Sequence, residues 1–231
     1  MASWAAFWDR PHSIYVNETH LRAHFERLGR DTLALLPLRG RRALLDFGCG
    51  DALAAPRFAQ AGWRVHLYDA SPETRRRLAA RYGGNAQIVV LDEAGLAALG
   101  SGSMDAILAS SVVQYVPRPE LPALLARWCA LLAPEGHLLV ADVVTAGGSA
   151  LVDAASLLSF ARAHGFLGAA LLGLVRTFFS DYRRLRRELG LASYGAEEFL
   201  ALLSAAGFTV ERLPANPGPS PHRLAFLGHP A

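Results

Sequence analysis

The chain contains no lysine, and all 23 of its basic residues are arginine. This excludes chemistry that needs a lysine amine, such as a Schiff base or the lysine of a phosphate-binding P-loop. Cysteine is scarce as well, with Cys49 and Cys129 as its two examples. The sequence therefore predicts neither a disulfide framework nor a zinc cluster, and this usage is typical of a reducing cytosol.

Long apolar runs are also missing. No stretch reaches the roughly 18–20 apolar residues of a membrane span. The first ten residues (MASWAAFWDR) lack the basic and apolar regions of a secretory signal, so a cytoplasmic protein is predicted. The net charge of +3 is spread along the chain, which predicts no nucleic-acid partner. No His, Asp and Glu set has metal-ligand spacing, so no metal site is expected.

Apolar residues are abundant, at 52% of 231, which is enough for a single α/β domain with a sizeable core. Short apolar runs alternate with amphipathic segments, a pattern that predicts a doubly wound, mostly parallel sheet with helices on both faces. The predicted strands cover residues 43–47, 65–68, 87–91, 106–110 and 137–144. The predicted helices cover 54–61, 71–82 and 120–132, and residues 134–136 (Pro-Glu-Gly) are expected to separate a helix from the fifth strand.

The most informative segment is residues 44–52, which read LLDFGCGDA. An apolar run that ends in Asp46 suits a buried parallel strand, and Gly48 and Gly50 allow a sharp turn beside a ligand. The next strand ends at Asp69, about twenty residues beyond the glycines, where a carboxylate can reach a ribose. Together these features predict a nucleoside-type cofactor site at the carboxyl edge of the sheet.

Two details of this turn argue against a dinucleotide. The fingerprint Gly-x-Gly-x-x-Gly would place its last glycine at Leu53, so that glycine is missing. A carboxylate at Asp46 would repel a pyrophosphate but attract an ammonium group. A nicotinamide-dependent oxidoreductase is therefore a weaker alternative.

The segment resembles the first motif of the class I, Rossmann-like S-adenosylmethionine-dependent methyltransferases, which reads Asp-x-Gly-x-Gly. Asp46, Gly48, Gly50 and Asp69 match the motif positions, and Ala52 stands where many members have a third glycine. The resemblance covers about residues 42–144 and 194–227. It implies the last helix and the sixth strand within residues 194–213, and a seventh, antiparallel strand at 223–227. It also implies S-adenosylmethionine as cofactor.

The resemblance also implies roles for individual residues. Asp46 would hold the amino acid part of the cofactor, Asp69 its ribose, and Ala70 would leave space for adenine. Either Asp92 or Glu93 would contact the adenine amino group, and the sequence leaves this choice open. The remaining residues expected around the cofactor and the transferable methyl group are Gly48, Cys49, Gly50 and Ser110. Weak candidates for the substrate side, where no general base is identified, are Tyr15, His20, Gln114 and Tyr115.

Two segments lie outside the resemblance, residues 1–40 and 145–193, and they are expected to form helical caps over the carboxyl edge of a single domain. Within the second, residues 157–189 are strongly apolar and then arginine-rich. Such a segment can be a lid that selects an apolar substrate, a peripheral contact with an anionic membrane, or a packed helix with a basic end.

The favoured function is methyl transfer from S-adenosylmethionine to a small molecule by in-line displacement, with a hydrophobic acceptor as one option. The alternative from another class is a non-catalytic protein that binds the cofactor. The acceptor atom, the substrate and the oligomeric state stay open at this point.

Overall fold

The computed structural model describes residues 15–36, 42–145, 150–178 and 191–231. Its seven strands form one sheet in the order β3-β2-β1-β4-β5-β7-β6. Strand β7 is antiparallel to both of its neighbours, and the pairs among β1 to β5 are parallel. The strands are β1 (Ala43–Phe47), β2 (Arg64–Tyr68), β3 (Ile88–Val90), β4 (Met104–Ser110), β5 (Leu132–Val143), β6 (Phe208–Arg212) and β7 (Leu224–Pro230).

Helices cover both faces of this sheet, because successive side chains of a strand point to opposite faces. Leu44 packs into one core cluster with Phe58 and Phe25, whereas Leu45 packs into another with Trp128 and Phe199. The described helices are α1 (Glu18–Leu35), α2 (Ala55–Gln60), α3 (Pro72–Tyr82), α4 (Glu93–Ala97), α5 (Leu121–Leu131), α6 (Ala150–Ala163), α7 (Leu167–Phe178) and α8 (Ala196–Ala205).

The predicted doubly wound fold is confirmed, including the antiparallel last strand, and one local prediction is wrong. Strand β5 begins at Leu132, although residues 134–136 were expected to interrupt the chain there. The register against β4 shifts between Met104 and Ala106, so these turn-forming residues are accommodated as an irregularity within the strand. Helix α4 was not expected; it forms because the Asp92 side chain caps it by accepting a hydrogen bond from Gly95 N at 2.7 Å.

Helices α6 and α7 pack against α1 through a third apolar cluster, in which Phe160, Phe166 and Ala170 are buried beside Ala23. The other face of α7 is not covered by the described residues: Leu171 and Leu172 are about half exposed. The expected arginine cluster (Arg183, Arg184, Arg186, Arg187) and residues 1–14 lie outside the described residues. In the described parts of the chain, no helix is long and apolar enough to cross a membrane.

This split between the two faces of α7 predicts opposite results for two aspartate substitutions. Ala170→Asp buries an unpaired charge, so we expect a large loss of stability, on the order of 4 kcal/mol or more. Leu171→Asp, one residue along on the half-exposed face, should stay within about 0.5 kcal/mol of the wild type. Thermal melting of the two variants measures both effects. Equal destabilisation would mean that something covers Leu171 in solution.

Candidate functional site

A cavity of about 620 Å³ opens at the carboxyl ends of the central strands. Most of the residues predicted for the site lie in its wall. These are Tyr15, His20, Asp46, Gly48, Cys49, Gly50, Asp69, Ala70, Ser110 and Tyr115. Asp92, Glu93 and Gln114, in contrast, are not among the residues that line it.

The turn after β1 is held by hydrogen bonds to β2 and to the residue that follows it. Gly48 N and Cys49 N both donate to the carbonyl oxygen of Tyr68, at 2.7 and 3.1 Å, and Gly50 N donates to Asp69 Oδ2 at 3.0 Å. Three successive N–H groups are therefore bonded within the protein. The turn consequently lacks the open set of N–H donors that would cradle a pyrophosphate.

Both glycines of this turn have left-handed backbone angles, with φ of +71° at Gly48 and +55° at Gly50. A Cβ at Gly48 would lie 2.5 Å from Cγ2 of Val112, so glycine is needed there for space as well as for conformation. A Cβ at Gly50 would meet nothing within 4 Å. The backbone of Gly50 is therefore open to a ligand in the cavity.

Two carboxylates approach each other beside the turn. Asp46 is buried, and its burial together with the nearby Asp69 raises its pKa to about 7. Asp69 also has a raised pKa because of burial, although Arg75 and Arg77 and its backbone hydrogen bonds oppose the rise. A positively charged group placed here would relieve the repulsion between the two acids and favour their ionised forms.

Asp69 can still accept hydrogen bonds from a ligand. Its Oδ1 accepts from Ser71 N at 2.9 Å and its Oδ2 accepts from Gly50 N, so each oxygen has lone-pair capacity left. Arg75 donates to the carbonyl oxygen of Asp69 at 2.6 Å and fixes the end of β2.

The two acids considered for the adenine amino group have other partners. Asp92 caps α4, and Glu93 forms an ion pair with Arg75 at 2.7 Å. Beside them, Tyr68 and Ala70 do lie in the cavity wall. An adenine contact from Asp92 or Glu93 stays a prediction. It is not supported by the composition of the cavity wall, which contains neither residue.

The opposite wall comes from the segments outside the common core. Helix α1 presents one face to the cavity, formed by His20, His24, Phe25 and Leu28. Helix α6 presents Asp153, Leu157 and Phe160, spaced by four and three residues on one face. These described parts of both segments thus reach the carboxyl edge of the sheet, as expected.

The candidate bases on the substrate side are poorly suited to take a proton. Burial, with Asp51 and Asp142 nearby, raises the pKa of Tyr15 above its ordinary value, so its phenol stays protonated. Burial lowers the pKa of His20 and of His24 to about 4, which leaves both rings neutral. Nδ1 of His20 accepts a hydrogen bond from Val16 N at 3.3 Å, which places the proton of the neutral ring on Nε2.

Gln114 and Tyr115 belong to the same short 3₁₀ turn, Val113–Tyr115, but their side chains have different surroundings. Tyr115 lines the cavity, whereas Gln114 is buried. The backbone carbonyl oxygen of Gln114 accepts a hydrogen bond from Ala192 N at 2.9 Å. The position of Gln114 therefore suits a structural link to the chain before α8.

Among the polar residues of the wall, sequence reasoning missed Asp142 and Asn216. Asp142 interrupts the apolar run of β5, and this interruption is the sequence feature that could have indicated its place in the site. Across the described residues, no group of three or more His, Cys, Asp or Glu side chains could hold a metal ion.

The sheet order and an acidic cavity beside a glycine turn define a Rossmann-like α/β protein with a candidate ligand site at the carboxyl edge of its sheet. A family model described as a methyltransferase domain matches residues 19–213. The chain belongs to this family, which confirms the resemblance found in its sequence.

Solved structures agree at the level of the fold. The chain is 19% identical to 1,6-didemethyltoxoflavin-N1-methyltransferase of Burkholderia thailandensis, solved with 1,6-didemethyltoxoflavin and S-adenosylhomocysteine (TM-score 0.55; 91% of this chain and 79% of that one). It is 16% identical to human N-acetylserotonin methyltransferase in complex with S-adenosylmethionine (TM-score 0.60; 92% and 54%), so it spans about half of that enzyme. It is also 16% identical to magnesium protoporphyrin IX methyltransferase of Synechocystis PCC 6803 with bound S-adenosylhomocysteine (TM-score 0.58; 99% and 92%). No curated protein matches the chain.

Proposed function

We propose that this protein transfers a methyl group from S-adenosylmethionine to a small molecule. The observation that carries the proposal is the buried pair of acids, Asp46 and Asp69, beside a turn whose N–H groups are already bonded. This surface favours a cationic nucleoside ligand over an anionic one. The structures of similar fold that were solved with S-adenosylmethionine or S-adenosylhomocysteine support the same cofactor.

The residues of the cavity fit the parts of this cofactor. Asp46 would bind the ammonium group, and the lone pairs of Asp69 that are not used by the backbone would accept the ribose hydroxyls. Gly50 gives the ligand access to the backbone, and Ala70 leaves room beside Tyr68. When bound, S-adenosylmethionine supplies a methyl group activated by a positively charged sulfur.

The protein's own contribution would be placement of the acceptor and exclusion of water, which can supply much of the rate in an in-line displacement. Phe25, Leu28, Leu124, Leu157 and Phe160 line the cavity, and they favour an acceptor with an apolar body. We infer that helices α1 and α6 act as caps that shape this part of the cavity.

Two alternatives are separated by simple observations. A nicotinamide-dependent oxidoreductase would need anion binding at the turn, where Gly48, Cys49 and Gly50 have no N–H left to offer. A non-catalytic protein would bind S-adenosylmethionine without forming its thioether product.

Peripheral contact of residues 157–189 with an anionic membrane is a separate proposal, supported by the exposed Leu171 and Leu172, and liposome flotation tests it.

Calorimetry tests the cofactor directly. We expect S-adenosylhomocysteine to bind and NAD to show no measurable binding. Asp69→Ala should weaken S-adenosylhomocysteine binding by roughly 1.5–3 kcal/mol, the range for hydrogen bonds to a charged group. Glu211→Ala removes an exposed acid of β6 outside the cavity wall and is the matched control, with affinity expected to stay at the wild-type level. Binding of NAD without binding of S-adenosylhomocysteine would overturn the proposed function.

A further inference from the structure

An irregularity near the end of β5 turns an acidic side chain toward the cavity. Val140 pairs with Phe226 and Val143 with Leu224, so β5 has one more residue than β7 between these two pairs. Such a bulge re-aims a side chain and is common beside active sites. The residue with a left-handed backbone in this bulge is Asp142, with φ of +56°.

The neighbouring strand carries a second strained residue at the same level. Ser111 follows β4 with φ of +59°, and its N–H donates to the carbonyl oxygen of Ala141 at 3.0 Å. A left-handed backbone is unfavourable for a residue other than glycine. Two such residues side by side in a cavity wall mark a place where function outweighs local stability.

The contacts of Asp142 hold its carboxylate but leave one buried oxygen without a hydrogen-bond partner. The Ser111 hydroxyl donates to Asp142 Oδ2, and Asp142 N donates to Oδ1 of Asn216 at 2.7 Å. Asp142 Oδ1 has no hydrogen-bond partner among the described residues. A buried carboxylate oxygen without a partner is costly unless a ligand supplies the donor.

The charged groups around Asp142 are engaged with one another. Arg223 and His222 bind the carboxylate of Asp153 on α6, at 2.8 and 2.7 Å. Burial raises the pKa of Asp142, while Arg223 and the Ser111 hydrogen bond oppose the rise. A carboxylate with a raised pKa is a better proton acceptor than one in water. Tyr15, His20 and His24, which also line the cavity, are held in forms that do not suit this task.

We propose that Asp142 recognises the acceptor by binding an N–H or O–H group and takes its proton during methyl transfer, so that the substrate class is an apolar molecule with such a nucleophile. This proposal rests on the proposed function. The lone pair of the acceptor nitrogen or oxygen forms the bond to the methyl carbon, and the carbon–sulfur electron pair returns to sulfur. The acceptor's proton passes to the Asp142 carboxylate and later to solvent.

Two aromatic probes of nearly equal shape test the hydrogen bond without turnover. 2-Naphthol carries one O–H donor, and 2-methoxynaphthalene lacks it. Binding of each is measured by calorimetry, with and without saturating S-adenosylhomocysteine. We expect the wild type to bind 2-naphthol at least about tenfold more tightly than 2-methoxynaphthalene, because a charge-assisted hydrogen bond to Asp142 provides a difference of this size.

Asp142→Asn is the informative variant, because asparagine tolerates the left-handed backbone and keeps the size of the side chain. Its preference for 2-naphthol should fall to about threefold or less, since a neutral acceptor makes a weaker bond. Glu120→Gln removes one negative charge from an exposed position of the same cavity wall and is the matched control; it should keep the wild-type preference.

The outcomes separate this proposal from the proposed function. Asp142→Asn should keep the wild-type affinity for S-adenosylhomocysteine, and loss of that affinity would place Asp142 in the cofactor site and overturn the inference. Equal binding of the two probes by the wild type, or no saturable binding of 2-naphthol, would also overturn it. Failure of the wild type to bind S-adenosylhomocysteine would instead refute the proposed function, whatever the probes show.

Discussion

At pH 8, the Asp46→Asn variant is expected to have a higher free energy of unfolding than the wild type, by up to roughly 4 kcal/mol. The pKa of Asp46 lies at about 7 in the folded protein and near 3.8 for an ordinary aspartate. Between these values the folded state holds a proton that the unfolded state releases. The stability of the wild type should therefore fall as the pH rises from about 4 to 7, and stay low above that range.

Asparagine carries no charge at any pH, so the variant should lack this fall. Denaturant unfolding at pH 4, 6 and 8 measures the difference between the two proteins, which should grow with pH. Asp51→Asn removes a charge from the same turn at a part-buried position and controls for net charge. Parallel pH curves for the wild type and Asp46→Asn would contradict the burial of a charge at this site. The same substitution should weaken S-adenosylhomocysteine binding, so stability and affinity are expected to change in opposite directions.

Gly48→Ala is expected to destabilise the protein by roughly 2–4 kcal/mol, which combines a left-handed backbone cost with overpacking. The added Cβ would lie 2.5 Å from Cγ2 of Val112, and the backbone has φ of +71°. Denaturant unfolding measures this loss. Gly50→Ala has a similar φ with open space around its Cβ, so its loss should be limited to about 1–2 kcal/mol.

A double-mutant cycle identifies the contact. Val112→Ala removes the atoms that a Cβ at position 48 would strike, so the double variant should recover part of the stability lost in Gly48→Ala. Additive losses in the double variant would show that the contact with Val112 is unimportant. Ala52, in the same turn, has φ of +47° and is fully buried, which shows that this backbone accepts a Cβ where space exists.

The fold was predictable because its signals are local. Apolar runs that end in Asp46 and Asp69, and the glycines between them, follow from strand burial and turn chemistry alone. The cofactor side of the cavity is built from these same residues. The sequence therefore indicates which of these residues lie together.

The substrate side was less predictable because it depends on contacts between distant segments. Asp142 enters the cavity through a bulge that depends on how β5 pairs with β7, and Asn216 reaches it from the loop between β6 and β7. Asp92 was one of two acids considered for adenine, yet its side chain accepts a hydrogen bond from Gly95 N at the N-terminus of α4. The same carboxylate can cap a helix or bind a ligand, and the sequence does not indicate which of these two interactions is the more favourable.

The position of β7 between β5 and β6 has a consequence for synthesis on the ribosome. Strand β6 is made before β7, yet β7 is its partner in the described sheet. The loop between them also reaches α1, where Gly218 N donates to Asp31 Oδ2 at 3.2 Å. A nascent chain that has emerged only as far as β6 thus has neither a complete sheet nor a closed cavity. Ligand binding should therefore begin only after β7 has left the exit tunnel, which makes the cavity a late product of translation.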